Sequence, residues 1–353
     1  MDRSNIIING RGHTLQASGG TGFSLSSVSN VTIKNTTITN SYYGIYLESS
    51  SGNVLSGNNV ANNSYYGFEL DYSSGSTFSG NNVTTNNDGI ALYYSCDNNT
   101  FSGNNVTRNG SYGFDLYSSC DNNILSGNDI TANSWGGIYL YSSSGNRIFH
   151  NDFINNTKQI GVLNSTNTWD NGYPSGGNYW SNYRTTYPNA VENDSSAIWN
   201  TPYVINVNNT DRYPLMAPFH TFGVGTWNGI AYSVDTVSNS TITNLSFNQP
   251  AKTLTFNVTG ASGTTGFCRV AIPKTLMSGT WIVIVNGTSI SYSVTTDANY
   301  TYIYFTYHHS TETVQIISTS AIPEFQPSML LPLVMIITLL AAIIIKRKRN
   351  VKK

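Results

Sequence analysis

A short phrase recurs at a nearly constant interval and leaves this chain few ways to fold. "SGNNV" begins at Ser56, Ser79 and Ser102, then returns as "SGNDI" at Ser126 and "FHNDF" at Phe149, in steps of 23, 23, 24 and 23 residues. A second column keeps the period: "GFSL" at Gly22, "GIYL" at Gly44, "GFEL" at Gly67, "GIAL" at Gly89, "GFDL" at Gly113 and "GIYL" at Gly137. A third is Asn53, Ser76, Asn99, Asn123 and Asn146. Columns that stay in phase over so many units mark a stacked repeat. Within one unit the apolar positions Leu55 and Val60, then Phe68 and Leu70, alternate in twos. That is strand spacing, and the Gly, Asn and Ser between them supply turns. No unit holds a run long enough for a crossover helix.

Each unit therefore reads as three short strands with one narrow apolar face, which only stacking on the neighbouring units can bury. The expected fold class is all-β: a right-handed parallel β-helix over residues 1–165, with repeats of 22–24 residues. Equivalent side chains should lie about 4.8 Å apart along the axis. Asn53, Asn99, Asn123 and Asn146 are expected to form an amide ladder at one corner, and Asn58, Asn81, Asn104, Asn128 and Asn151 another. The leucine-rich repeat has a similar period but needs an L-x-x-L-x-L spacing that is absent here.

The stretch "NIIINGRGHTLQASGGTGFSLSSVSNVTIKNTTI" (Asn5 to Ile38), with "GIYLESSSGNVLSGNNV" after it, resembles the NosD-type family of pectin-lyase-like β-helices built from PbH1 repeats. "NTWDNGYPSGGNYWSNY" (Asn167 to Tyr183) and "TPYVINVNNTDRYPLMAP" (Thr201 to Pro218) resemble the segment that closes such helices, here residues 166–219. The resemblance implies a fold; it does not by itself fix an activity. The family name is linked to copper, yet His13, His150 and His220 are scattered, Met is sparse and no Cys or His pair has ligand spacing. Between the two closing pieces the family often carries an Asp- and Gly-rich run that looks like a calcium loop. Here the interval Arg184 to Asn200 has only Glu192 and Asp194 as carboxylates, too few for an ion that takes six or more oxygens. No metal and no cofactor is expected.

Beyond the repeats the period disappears and the strands lengthen: Lys252 to Gly260, Gly266 to Pro273, Trp281 to Gly287, Tyr300 to Tyr307 and Glu312 to Thr319. Residues 220–319 are expected to form an immunoglobulin-like sandwich of about seven strands, serving as a spacer. Residues 320–327 read as a linker. From Pro327 to Ile345 the chain carries no charge, close to the length that spans a bilayer core, and 328–345 is the expected transmembrane helix. The basic tail 346–353 that follows places the C-terminus on the cytoplasmic side and the rest of the chain outside. "IPEFQPS" (Ile322 to Ser328), the apolar run and the tail together resemble archaeal PEF-type sorting signals, although Gln326 stands where the usual Pro would be; a plain stop-transfer anchor is the alternative. An outside domain calls for an export signal, and "MDRSNIIINGRG" has no apolar run; the chain reads as beginning inside a coil, with its true start upstream.

Composition narrows the partners. Only 10% of residues are charged, against about 25% in ordinary domains. Of 17 basic residues, six lie in the tail, so 11 face 18 acidic residues elsewhere, a balance of −7. No basic stripe exists to neutralise phosphates, which excludes nucleic acid as the expected partner.

The outward positions of the "GIYL" strand define the candidate site. One column reads Ser24, Tyr46, Glu69, Ala91, Asp115, Tyr139; the next reads Ser26, Glu48, Asp71, Tyr93, Tyr117, Tyr141. Tyr rings can stack on sugar faces and carboxylates can accept sugar hydroxyls. Tyr46, Glu48, Glu69, Asp71, Tyr93, Asp115, Tyr117, Tyr139 and Tyr141 are thus candidate carbohydrate-binding residues, set against the plainer reading that Tyr simply suits a strand. Glu48, Glu69, Asp71 and Asp115 would be the catalytic groups of a polysaccharide lyase or hydrolase, whose carboxyls stand about 5 to 9.5 Å apart. No Lys, Arg or His accompanies them, so the favoured reading is a non-catalytic, membrane-anchored surface protein that binds glycans or envelope components, with a purely structural envelope role as the third. Cys96 and Cys120 occupy one position of consecutive coils, within reach of a disulfide or of two stacked core thiols.

Overall fold

The computed structural model describes residues 3–322 together with Met335, Ile336 and Thr338. Residues up to Trp180 build three parallel sheets of seven, eight and seven strands, and in each sheet every strand pairs with its equivalent one turn away. In the first sheet Phe78 faces Leu55 on one side and Phe101 on the other; in the second, Val83 faces Val60 and Val106. In the third, formed by Phe23–Ser26, Tyr43–Glu48, Tyr66–Asp71, Asp88–Tyr93, Tyr112–Tyr117, Gly136–Tyr141 and Ile160–Leu163, Leu92 faces Leu70 and Leu116. This is the expected parallel β-helix, right-handed as parallel crossovers are. Apart from the end turns, its inward residues are fully buried, and they form one continuous core.

The corners carry the polar cost of so much buried backbone. In the ladder through Asn58, each backbone N–H and each amide N–H donates to the amide oxygen one turn on: Asn81 N to Asn104 Oδ1 at 3.0 Å, Asn81 Nδ2 to the same atom at 2.9 Å. The other amide hydrogen of Asn104 reaches back to Phe78 O at 3.0 Å. The ladder through Asn53, Asn99, Asn123 and Asn146 is also present, with Ser76 as one rung. A third, not expected from the sequence, runs through Asn63, Asn86, Asn109, Asn133 and Asn156.

A fourth ladder holds Cys96 and Cys120 as stacked core thiols, one of the two arrangements their shared position allows. Both cysteines are free and fully buried. They stand in a column of hydroxyls: Ser50 N donates to Ser73 Oγ, Ser73 N to Cys96 Sγ, Cys120 N to Ser143 Oγ and Ser143 N to Ser165 Oγ. Each thiol in turn donates to a carbonyl of the turn before, Leu70 O and Leu92 O, both at 3.3 Å. The thiols do the work of serine hydroxyls, and a disulfide would remove both donors.

The open end of the helix is plugged by the closing segment. Trp180 adds to the second sheet and stacks on Phe153 at 4.4 Å, with Tyr203 stacked on its other face at 4.2 Å. Asp211, fully buried, accepts from Asn178 N, Trp180 Nε1 and Tyr213 N, and so ends the Asn58 ladder. Arg212 clamps Asp170 through two bonds, at 2.9 and 2.7 Å. These contacts cover an edge that would otherwise pair with other chains.

Residues Phe219–Ala321 then form two five-stranded antiparallel sheets around a separate core. Numbered in sequence within this unit, the strands run 1-2-5-9-8 in one sheet and 3-4-10-6-7 in the other. An antiparallel two-sheet unit was expected; ten strands in these orders differ from the ABED and CFG sheets of an immunoglobulin domain. Phe219–Trp227, Ile230–Ser238 and Thr241–Asn248 are the first three strands of the unit. The expected transmembrane helix 328–345 and tail 346–353 lie outside the described residues, save Met335, Ile336 and Thr338; among the described residues no helix is long and apolar enough to cross a membrane.

Candidate functional site

The third sheet brings the candidate residues together in register. Tyr46 pairs with Glu69 and Glu48 with Asp71; Ala91 pairs with Glu69 and Asp115, Tyr93 with Asp71 and Tyr117; Asp115 pairs with Tyr139 and Tyr117 with Tyr141. The two outward columns are thus as expected, and no Lys, Arg or His stands in either. A third column joins them, formed by the residue just before each glycine of the second repeat column: Tyr43, Tyr66, Asp88, Tyr112 and Gly136. Its signal was present in "SYYG", "NNDG" and "GSYG". Strict alternation does not predict it, because two inward residues separate it from the next outward position.

This column changes the character of the face. Outward carboxylates on a sheet are expected to be solvated, yet Glu69 is only 8% exposed and Ala91 is fully covered. The cover is tyrosine. Tyr66 and Tyr93, from the columns on either side, meet hydroxyl to hydroxyl at 3.2 Å, and Tyr93 donates to Asp115 Oδ2 at 3.2 Å. Tyr46 donates to Asp71 Oδ2 at 2.9 Å, and Asp88 Oδ1 accepts from Tyr112 N at 2.8 Å. Stacked pairs line the face: Tyr43 on Tyr66 at 5.8 Å, Tyr112 on Tyr139 at 5.1 Å, Tyr117 on Tyr141 at 4.6 Å, and at its edge Tyr42 on Tyr65 at 4.2 Å. Trp135 stands beside Tyr112, 64% exposed.

The carboxylates are under-supplied with donors. Glu69 Oε2, Asp71 Oδ1 and Asp115 Oδ1 are buried and have no hydrogen-bond partner. Burial pushes Glu69 up to about 7, with the charge of Asp71 adding to it. Burial likewise pushes Asp115 up to about 7, helped by Asp88 and opposed by the Tyr93 hydroxyl. Asp71 and Asp88 are raised less far, again chiefly by burial. The Tyr93 hydroxyl is raised by burial and by Asp115, so it stays a donor. Chemically the face offers hydrogen-bond acceptors, proton-bearing carboxyls and aromatic planes.

A second recess, about 860 Å³, opens between the β-helix and the antiparallel unit. Its polar groups are largely committed. Asp152 accepts from Phe219 N and Asp235 from Thr221 Oγ1. Arg269, buried, donates to Pro174 O, Ser175 O and Ser196 O. His150 stacks on Phe219 at 4.2 Å and is held neutral by burial, its pKa lowered to about 3. This junction reads as a structural seam.

Comparison with known proteins gives one family. The sequence model described as periplasmic copper-binding protein (NosD) matches residues 3–185, 183 of the 353 residues. No curated protein matches. Among solved structures, the periplasmic alginate epimerase AlgG aligns at 22% identity over 40% of this chain and 35% of its own, with a TM-score of 0.39. The Azotobacter vinelandii mannuronan C-5 epimerase AlgE6 A-module aligns at 15% identity over 47% and 58%, TM-score 0.33. The enzymatically active domain of bacteriophage CBA120 tailspike protein 2 aligns at 10% identity over 80% and 43%, TM-score 0.40. The chain spans less than two thirds of the length of each.

Proposed function

The chain belongs to the NosD family, and with that as premise we propose that it is a cell-surface carbohydrate-recognition protein that binds an extended glycan along the third sheet without cleaving it. One observation carries the reading: three outward columns, in register over successive turns, combine Glu48, Glu69, Asp71, Asp88 and Asp115 with tyrosines. Such a face repeats with the fold, as a glycan repeats with its residues. Copper, which the family description names, enters no part of this reading, because the donors do not converge: among the described residues no three of His, Cys, Asp or Glu are grouped to hold an ion. His309 spends both ring nitrogens on Ser240 Oγ and Thr264 Oγ1.

A second reading rests on the raised carboxyls. A carboxyl that keeps its proton near neutrality can act as a general acid; Glu69, raised to about 7 with the Asp71 carboxyl on the same strand, has that form. The test is to offer the full-length chain immobilised polysaccharides and record retention and released product together. Retention without product is expected. Product that disappears in Glu69→Gln would make the face an active site, and neither signal would leave a structural envelope role. The antiparallel unit is proposed as the spacer and residues 328–345 as the membrane anchor. Membrane fractionation of cells expressing the chain with and without those residues tests the anchor, which fails if both sediment alike.

A further inference from the structure

Asn-x-Ser/Thr is the acceptor sequence for N-linked sugar, and in this chain the coil decides which copies can be reached. An acceptor pairs an asparagine with a hydroxyl two residues on. Along a strand, residues two apart share a side. Most asparagine rungs are followed two residues on by an inward apolar residue: Asn58 by Val60, Asn81 by Val83, Asn104 by Val106, Asn123 by Leu125. They complete no acceptor sequence. The corner residue just before a rung is placed the other way, because two residues on lies the first outward residue beyond the rung. Asn62-Asn63-Ser64, Asn98-Asn99-Thr100, Asn155-Asn156-Thr157 and Asn164-Ser165-Thr166 have this form. In each, the middle residue is a buried rung of a ladder. The chain therefore holds each acceptor by its centre and turns its two ends outward.

Asn62, Asn98, Asn155 and Asn164 are exposed and stand at tight corners with φ between 51° and 56°, a left-handed backbone that asparagine tolerates. The Nδ2 of each bonds no neighbour among the described residues. Other copies of the sequence are less free. Asn82 and Asn105 are half-buried and spend Nδ2 on the Oδ1 of Asn59 and Asn82. Asn109, in Asn109-Gly110-Ser111, is a fully buried rung whose Nδ2 donates to Val83 O and Asn133 Oδ1. The strands of the third sheet contain no asparagine at all. We propose that Asn62, Asn98, Asn155 and Asn164 carry N-linked glycans, which stand at the corners and leave the tyrosine and carboxylate face undecorated. Nδ2 attacks the anomeric carbon of an oligosaccharide held on a lipid phosphate. The N–C1 bond forms, the C1–O bond to phosphate breaks, the lipid phosphate leaves with the bonding pair, and one Nδ2 proton is released. The inference rests on the cell-surface placement and goes beyond the ligand reading.

Peptide mapping by mass spectrometry of the full-length chain, taken from the cells that make it, tests the assignment. Asn62, Asn98, Asn155 and Asn164 should carry sugar, and Asn109 should be bare. Thr100→Val removes a hydroxyl and keeps the side chain's shape, so the glycan should vanish from Asn98 alone while the melting temperature holds. Sugar on Asn109, or on Asn82 and Asn105 as often as on the four corners, would overturn the argument from geometry. Four bare corners would overturn the proposal, and a second measurement then shows where it failed: the purified folded chain is offered to an oligosaccharyltransferase with a lipid-linked oligosaccharide. Transfer to the corners in that assay would mean that competent sites never met the donor, which counts against the cell-surface placement as well. No transfer would put the fault in the corners themselves and leave that placement, and the polysaccharide retention assay, untouched.

Discussion

Asn104 shows how one side chain supports three turns at once. It accepts from the backbone and amide of Asn81, and it donates to Phe78 O and Asn128 Oδ1. Asn104→Ala would orphan several buried groups, so a loss of about 2 to 4 kcal/mol is expected in urea unfolding, whereas Asn82→Ala, in a partly exposed surface pair, should stay within about 0.5 kcal/mol. Glu69 behaves in the opposite sense. Its folded pKa, about 7, lies above the unfolded carboxyl's value near ~4. The folded state therefore holds the proton longer, and stability falls as pH rises through that window, with no further change from this group above it. Asp115 adds a second fall of the same sign. Melting temperatures taken from pH 4 to 8 should drop less in Glu69→Gln than in the parent. An equal drop in both would mean that Glu69 ionises without penalty.

At the scale of the strand, the column glycines matter for space rather than for flexibility. A Cβ at Gly89 would meet Gly113 O at 2.5 Å, Val106 Cγ1 at 2.7 Å and Asn109 Nδ2 at 2.9 Å. It would push into the third asparagine ladder and the next turn together. Gly80 is different: its φ is +60° and nothing lies within 4 Å of a Cβ there, so only the left-handed backbone would be strained. Gly89→Ala should destabilise by about 2 to 3 kcal/mol through overpacking and Gly80→Ala by about 1 kcal/mol. Chemical unfolding of the two variants side by side checks the order, and a larger loss at Gly80 would contradict the packing argument.

At the scale of the molecule, the seam between the β-helix and the antiparallel unit turns on Arg269. Burial lowers its pKa to about 10, yet its hydrogens go to three carbonyls rather than to a carboxylate. Tyr304 donating to Glu192 at 2.9 Å and Phe219 N to Asp152 at 2.9 Å complete the seam. Arg269→Met keeps the aliphatic bulk and releases the carbonyls. Scanning calorimetry should then resolve two transitions, the β-helix and the antiparallel unit separating, where the parent shows them coupled. A single unshifted transition would mean that the apolar cluster of Ala197, Leu215, Phe219 and Tyr304 holds the seam alone.

The parallel helix, its three strands per turn and two of its asparagine ladders were legible in the sequence because a stacked repeat writes its geometry into the chain. What occurs once per turn in the sequence occurs once per about 4.8 Å in space, so columns of letters are columns of atoms. The two outward columns of the third sheet were legible for the same reason. Other features depend on contacts between columns or between units, which no period records. That Glu69 lies under tyrosines, that Cys96 and Cys120 serve as hydroxyl substitutes, and that Arg269 is buried among carbonyls about 70 to 95 residues away in sequence were decided by tertiary structure. Burial sets the chemistry of a charged group, and burial is a property of what packs around it.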